Sequence, residues 1–188
     1  MIKSNIVHEK YTRKNCSPSN TFDSFLENIS ERKSVRKYLS KSVEEDKIDA
    51  MLKAGMAAPS GMDRRPWEFV VVTDRVALDS MAAKLPYAKM LTNAPLAIVV
   101  CGDTTRSSYW YLDCSAATQN ILLAAEALGL GAVWTAAYPY EDRIDVVRQN
   151  TGLPENIVPL CVIPIGYPDG PQKAKDKFDL QRVHRNKY

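Results

Sequence analysis

Four cations and a hydroxyl fall within the six residues Arg32-Lys33-Ser34-Val35-Arg36-Lys37. In an extended chain alternate side chains share a face, so Arg32, Ser34 and Arg36 point one way. Two guanidiniums and a hydroxyl together suit a phosphate and an electron-rich heterocycle. A solvated charge run accounts for the same residues. A second candidate is the turn Pro59-Ser60-Gly61-Met62-Asp63, which leads through Arg64 and Arg65 to Pro66-Trp67. Its small residues let backbone approach a ligand closely, although helix-to-strand connections are often built this way. A third, Ala127-Leu128-Gly129-Leu130-Gly131-Ala132-Val133-Trp134, follows a helix instead of opening one and is not G-x-G-x-x-G, so it does not support a Rossmann dinucleotide site. The fourth is the tail Lys173-Ala174-Lys175-Asp176-Lys177, whose lysines could meet a phosphate or form a solvated end.

The elements that position these residues are legible from periodicity. Phe22, Phe25, Leu26 and Ile29 fall at i, i+3, i+4 and i+7 and predict a short helix. Ser42-Val43-Glu44-Glu45 reads as a capping box, opening a helix with Ile48, Met51, Leu52 and Gly55 inward. Buried strands are expected at 67–73, 95–101, 131–136 and 157–165, and helices at 75–84, 109–128 and 141–150. The 109–128 segment is long, Ala-rich and apolar nearly all round, which predicts a central helix. Pro159 and Pro164 each remove a ladder donor and imply an edge strand or irregular pairing. Strands alternate with helices, so the class is α/β or α+β. Residues 1–20 read as a polar arm, and 21–188 as one domain without a linker.

Composition narrows the function classes. The chain has 188 residues, 45% hydrophobic and 25% charged, an ordinary globular balance. No apolar run is long enough to span a membrane, and the opening MIKSNIVHEKYTRK carries no apolar core of a signal peptide. His8 and His184 are too few for a His-rich metal site. Cys16, Cys101, Cys114 and Cys161 lack metal-type spacing. Cysteine usage points to a reducing, cytoplasmic setting. No G-x-S-x-G is present, which argues against an esterase-type triad. Residues 1–38 and 171–188 each carry net charge +4, and the body between them −5. No nucleic-acid motif accompanies the basic ends, so nucleic acid is not expected as a partner.

In order and spacing, the four segments together resemble the nitroreductase family of FMN-dependent oxidoreductases over roughly residues 24–188. Arg32-Lys33-Ser34-Val35-Arg36 resembles the family's R-R-S-[IV]-R element. Ala58-Pro59-Ser60 through Pro66-Trp67 resembles its A-P-S-x-x-N-x-Q-P-W turn, and Ala127-Leu128-Gly129-Leu130-Gly131 its A-L-G-L-G element. The tail with Val183-His184 and Tyr188 resembles its closing segment. The resemblance implies an α+β (α/β sandwich) fold: a mixed, mostly antiparallel sheet flanked by helices, around a long central helix. It also implies a homodimer with FMN at the subunit interface. Arg32 and Ser34 would bind the phosphate and ribityl chain, Lys33 and Arg36 the ribityl and pyrimidine edge, and Lys175 and Lys177 the phosphate. Pro59, Ser60, Gly61, Met62 and Asp63 would reach the flavin from the second subunit. Trp134, Thr135, Ala136 and Ala137 would run along the ring, with a backbone N–H of Ala136 or Ala137 donating to N5, and Lys89 would lie at the flavin edge. Asp63 and Arg65 depart from the family's Asn and Gln. An ionised Asp cannot donate a hydrogen bond, so Asp63 is expected to pair with Arg64 or Arg65.

The activity implied is NAD(P)H-driven reduction of electron-poor acceptors, nitroaromatics or quinones, by ping-pong hydride transfer through flavin N5. The protein contributes orientation and charge, and needs no nucleophile or metal of its own. Two alternatives remain at this point: a flavin storage or sensing module with little turnover, and a specialised family reaction such as dehalogenation or flavin fragmentation.

Overall fold

A computed structural model describes residues 21–188. The polar arm, His8 and Cys16 lie outside the described residues. The order is α1 (Thr21–Glu31), α2 (Glu45–Met56), β1 (Trp67–Val72), α3 (Arg75–Lys84), β2 (Leu96–Asp103), α4 (Trp110–Ala127), β3 (Gly131–Ala132), β4 (Thr135–Ala136), α5 (Glu141–Thr151) and β5 (Ile157–Gly166). The sheet runs β1-β2-β5-β3, with β4 also on β5, and every ladder is antiparallel. One parallel bridge, Ser34 to Ala132, makes it mixed.

Helices cover both faces. On one, Leu96, Ile98 and Val100 of β2 and Ile163 and Ile165 of β5 pack with Met51 of α2 and Cys114, Ala117 and Ile121 of α4. On the other, Ala97, Val99 and Val162 pack with Leu78 and Met81 of α3 and Val147 of α5. β2 is therefore apolar on both faces and reads as a continuous hydrophobic run, as a strand buried on both sides must. No helix among the described residues is long and apolar enough to cross a membrane, and no group of His, Cys, Asp and Glu among them could hold a metal ion. Cys101, Cys114 and Cys161 are free and buried.

Three sequence expectations are corrected in whole or in part. The 131–136 strand is two short strands, β3 on Gly166 and Ile165 and β4 on Val162 and Cys161, because Val133-Trp134 leaves the ladder between them. β5 is interior, so of the two expectations for its prolines the edge fails and irregular pairing holds: the register shifts between Val100 and Cys101, Pro159 faces Cys101 and Leu160 is left without a β2 partner, while Pro164 faces Ala97. The capping box does not form. Glu44 takes the N-cap position of α2 without a side-chain cap bond. Its carboxylate instead accepts from the Tyr167 hydroxyl (2.6 Å) and lies 3.5 Å from Lys41 and 3.8 Å from Lys47. The short helix expected from Phe22, Phe25, Leu26 and Ile29 is α1, and Phe25, Leu26 and Ile29 on it are exposed.

The Glu44 cluster has a pH signature. The bond from Tyr167, more than the two lysines, holds the Glu44 carboxyl down at about 2. A depressed folded pKa means stability that is present above the unfolded value of about 4.3 and lost as pH falls towards 2. Against Glu44→Gln, the wild type is expected to show a higher urea midpoint at pH 6, and the gap to close between pH 4.5 and pH 2. A gap independent of pH would contradict this.

Candidate functional site

The cation-rich segment is extended and stapled to the sheet. Val35 donates its N–H to Ala132 O (3.0 Å) and Leu39 to Tyr167 O (2.9 Å). The buried Tyr38 hydroxyl reaches the carbonyls of Val35 (2.6 Å) and Pro164 (3.0 Å). Val35 is 1% exposed, so alternation turns Ser34 and Arg36 outward, and both are exposed. Gly131 makes the fit possible: a Cβ there would stand 2.6 Å from Val35 Cβ and Cγ1.

The segment serves two cavities. Arg32 lines one of about 610 Å³ together with Lys175, Lys177, Gln119 and Phe178, where Glu31 and Asp176 are the acidic members. Arg36 lines another of about 600 Å³ with Trp134, Thr135, Ala136, Tyr87, Lys89 and Arg143. At about 3.3 Å per extended residue, the two arginine Cα atoms lie about 13 Å apart. Cations at both ends of such a span suit a ligand with an anion at one end and a ring at the other.

Some predicted site residues have partners already. Lys33 Nζ donates to Glu126 Oε1 of α4 (2.6 Å) and lines neither cavity. Ser34 lines neither, and bridges Ala132 through backbone. Lys89 lines the second cavity, but its ammonium donates to Ala82 O and Ala83 O (both 2.9 Å) at the end of α3. Thr135 is buried, and its hydroxyl donates to Val162 O (2.7 Å). Of the two proposed N5 donors, Ala137 is occupied: its N–H donates to Leu160 O (3.0 Å) and the residue is 1% exposed. Strand alternation turns the Ala136 N–H away from β5, and Ala136 is exposed.

The turn 59–63 lines neither cavity on its own chain. Met62, Asp63 and Arg65 have φ of 54°, 54° and 46°, unusual for residues with a Cβ, and Met62 is 82% exposed. Asp63 accepts two bonds from Arg65, from Nε (2.7 Å) and Nη2 (2.6 Å), which hold its carboxyl below the usual range. Arg65 N–H donates to Ser60 Oγ (3.0 Å).

Asp113 on α4 anchors this turn. It is 6% exposed, accepts the Gly61 N–H at 2.9 Å, and accepts the Ser107 hydroxyl at 3.1 Å. Asp113→Ala leaves both donors unpaired and is expected to destabilise the protein by about 2 kcal/mol, with Asp113→Asn retaining most of the stability. Equal thermal melting of wild type and Asp113→Ala would refute the anchor. Sequence reasoning missed Asp113, and also Arg143, Tyr87 and Tyr140 on the second cavity. A usable signal was present for the first: Asp113 and Glu126 are the charged residues of an otherwise uncharged helix, and each holds a site segment, Gly61 in one case and Lys33 in the other.

The chain is similar to known proteins. Residues 29–85 and 75–167 match the family model described as Nitroreductase family. A protein of Methanothermobacter thermautotrophicus, provisionally named NADH dehydrogenase/NAD(P)H nitroreductase, is 46% identical over 166 residues, 87% of each chain. A crystal structure with the same provisional name from Bacteroides thetaiotaomicron is 70% identical, with a TM-score of 0.87 over 88% of this chain and 98% of that one. An FMN-dependent nitroreductase of Clostridium difficile is 34% identical, with a TM-score of 0.83 over 87% of this chain and 99% of that one. With helices on both faces of an antiparallel sheet, and a family match over most of its length, this chain belongs to the nitroreductase family.

Proposed function

We propose that this chain, an FMN-dependent NAD(P)H oxidoreductase, reduces electron-poor acceptors such as nitroaromatics and quinones by alternating donor and acceptor at one place. The observation that carries the reading is the single extended segment that puts Arg32 in one cavity and Arg36 in the other. Its residues fit FMN. Arg32, Lys175 and Lys177 offer three cations to a dianionic phosphate, outweighing Glu31 and Asp176 on the same wall. The cavity beside Trp134, Thr135 and Ala136 has the size of a ligand site, and its lining combines aromatic and apolar side chains with three cations.

Bound there, FMN supplies two-electron chemistry, taking hydride from a nicotinamide and passing reducing equivalents to an acceptor. The chain orients and polarises. The Ala136 N–H is the free backbone donor at the ring edge. Arg36 holds positive charge where the reduced ring would carry negative charge, which favours reduction. Ser34, next to Arg32 and facing outward, is placed for a ribityl hydroxyl.

The working form is a homodimer. Support comes from the turn 59–63, which lines no cavity of its own chain while presenting Met62 to solvent, and from the outward apolar stripe of α1. In a second copy the turn can cover the ring. The reducing setting implied by three free buried thiols suits the cytoplasm.

An anaerobic NAD(P)H titration of purified protein, followed in the visible range, tests the activity. Flavin bands that bleach on titration and return with menadione are expected. Protein that is colourless and cannot be reconstituted with FMN would end the reading. A yellow protein without steady-state NAD(P)H oxidation would make it a flavin store. Sedimentation at micromolar concentration is expected to show a dimer, and a monomer with full activity would contradict the shared site.

A further inference from the structure

The second cavity holds a cation that FMN does not account for. Arg143 is the third residue of α5. Its guanidinium carbon sits 3.7 Å from the ring centroid of Tyr140 and 5.3 Å from that of Tyr87. Its Nε is covered by protein and has no acceptor. Its bond from Nη1 to Ala136 O is long, at 3.4 Å, and among the described residues no carboxylate pairs with it. Glu141 and Asp142 precede it on α5, yet neither lines the cavity. The lining carries three cations, Arg36, Lys89 and Arg143, and no acid.

A guanidinium held over aromatic rings is positioned without being neutralised. Cation–π contacts hold it in place, and the planar fork remains able to take a carboxylate or phosphate through two parallel bonds. Lys89 cannot substitute, because its ammonium is engaged at the end of α3. Arg36 stands on the cation-rich segment, on the side of the cavity read above as flavin-facing. Arg143 and Tyr87 come from other elements, α5 and the 85–88 loop, and complete the wall beside Ala136.

We propose that Arg143, with Tyr87 and Tyr140, is an anion subsite for the redox partner: it binds a carboxylate or phosphate carried by the molecule that enters the cavity beside Ala136. This rests on the flavin reading above and adds a substrate class to it, a planar compound bearing a negative group. The anion can belong to the acceptor, as an aryl carboxylate, or to the donor, as the extra phosphate of NADPH. The rings of Tyr87 and Tyr140 suit an aromatic body next to the charge in either case.

Two matched pairs separate these sources. 4-Nitrobenzoate and 4-nitrobenzamide share a ring and differ in charge. NADPH and NADH differ by one phosphate. For each pair the readout is the ratio of kcat/KM for the more anionic member to that of the other, in wild type, Arg143→Met and Arg143→Lys. Loss of one charge-assisted fork is expected to lower the ratio about tenfold in Arg143→Met for the pair whose anion the subsite takes. Arg143→Lys should recover part of the loss, since it keeps a point charge without the fork. Ratios within about twofold of wild type in both pairs would overturn the subsite, leaving Arg143 as a brace for the Ala136 carbonyl. So would loss of FMN from Arg143→Met, which would assign Arg143 to the flavin.

Calorimetry with benzoate and benzamide reads the subsite without turnover. Benzoate is expected to bind wild type more tightly than benzamide does, and Arg143→Met to erase the difference. Should wild type show this preference and still fail to take up FMN, the flavin reading falls and the subsite stands. Should it oxidise NAD(P)H with no charge preference in any assay, the subsite falls alone.

Discussion

Reversing Arg32 to Glu, or Lys175 and Lys177 together to Glu, is expected to weaken FMN retention about a hundredfold in each case, because a charge-assisted contact to phosphate is replaced by repulsion. Arg32 comes from the segment after α1 and the lysines from residues beyond β5, yet they line one cavity. Either change should therefore act on the same part of the ligand. Riboflavin supplies the control, since it has the ring and ribityl chain but no phosphate. Reconstitution titrations should show the FMN preference over riboflavin collapsing in both variants, with riboflavin affinity little changed. Unaltered FMN affinity in both variants would return the basic ends of the chain to plain solvated termini. A parallel drop for riboflavin would show that the mutations had disturbed the fold.

Gly131→Ala is expected to cost about 1–3 kcal/mol of stability, the usual range for overpacking a close contact, and to lower flavin content with it. The added methyl would lie 2.6 Å from Val35 Cβ and Cγ1 and 2.9 Å from Cγ2. Val35 cannot retreat easily: it is buried, and its own N–H is bonded to Ala132. What moves is the backbone between Arg32 and Arg36, which carries a cation to each cavity. Trimming the partner, as Val35→Ala, should restore part of the stability. Gly131→Ala protein with wild-type melting and a full complement of FMN would show that the contact relaxes at no cost.

The architecture was largely legible because burial on both faces leaves long apolar runs. The 67–73 and 95–101 segments, and the helices at 75–84 and 109–128, fall close to their observed bounds. Three things were hidden. The split of 131–136 depends on which residues of β5 are available as partners, a long-range matter that local pattern does not carry. The interior place of β5 was obscured because Pro159 and Pro164 suggest an edge or irregular pairing, and only the fold shows that the second applies, with a bulge at Leu160 of β5. The capping box failed because α2 starts at Glu45 with Glu44 as its N-cap, which leaves Ser42 two residues ahead of the helix end it would have capped. At the site, Arg32, Arg36, Lys175, Lys177, Trp134 and Ala136 line the two cavities, and of these Trp134 and Ala136 were named only through the family resemblance. Lys33 and Ala137 were occupied by partners that only the fold reveals, Glu126 and Leu160. Arg143 was invisible because its helix reads as a polar surface helix, and its role depends on two tyrosines outside that helix.

The buried cysteines bear on the durability of such an enzyme. Quinones are soft electrophiles that alkylate thiolates, and reduced nitroaromatics pass through species that do the same. Burial pushes Cys114 and Cys161 up to about 12 and Cys101 higher still, so at neutral pH these sulfurs are almost wholly protonated and poor nucleophiles. They also sit beneath the packed layers of the sheet and α4. Burial and protonation together shield these three thiols from the compounds the chain is proposed to process. Alkylation of Cys101, Cys114 or Cys161 would require the domain to open, so mass spectrometry after prolonged turnover should find them unmodified.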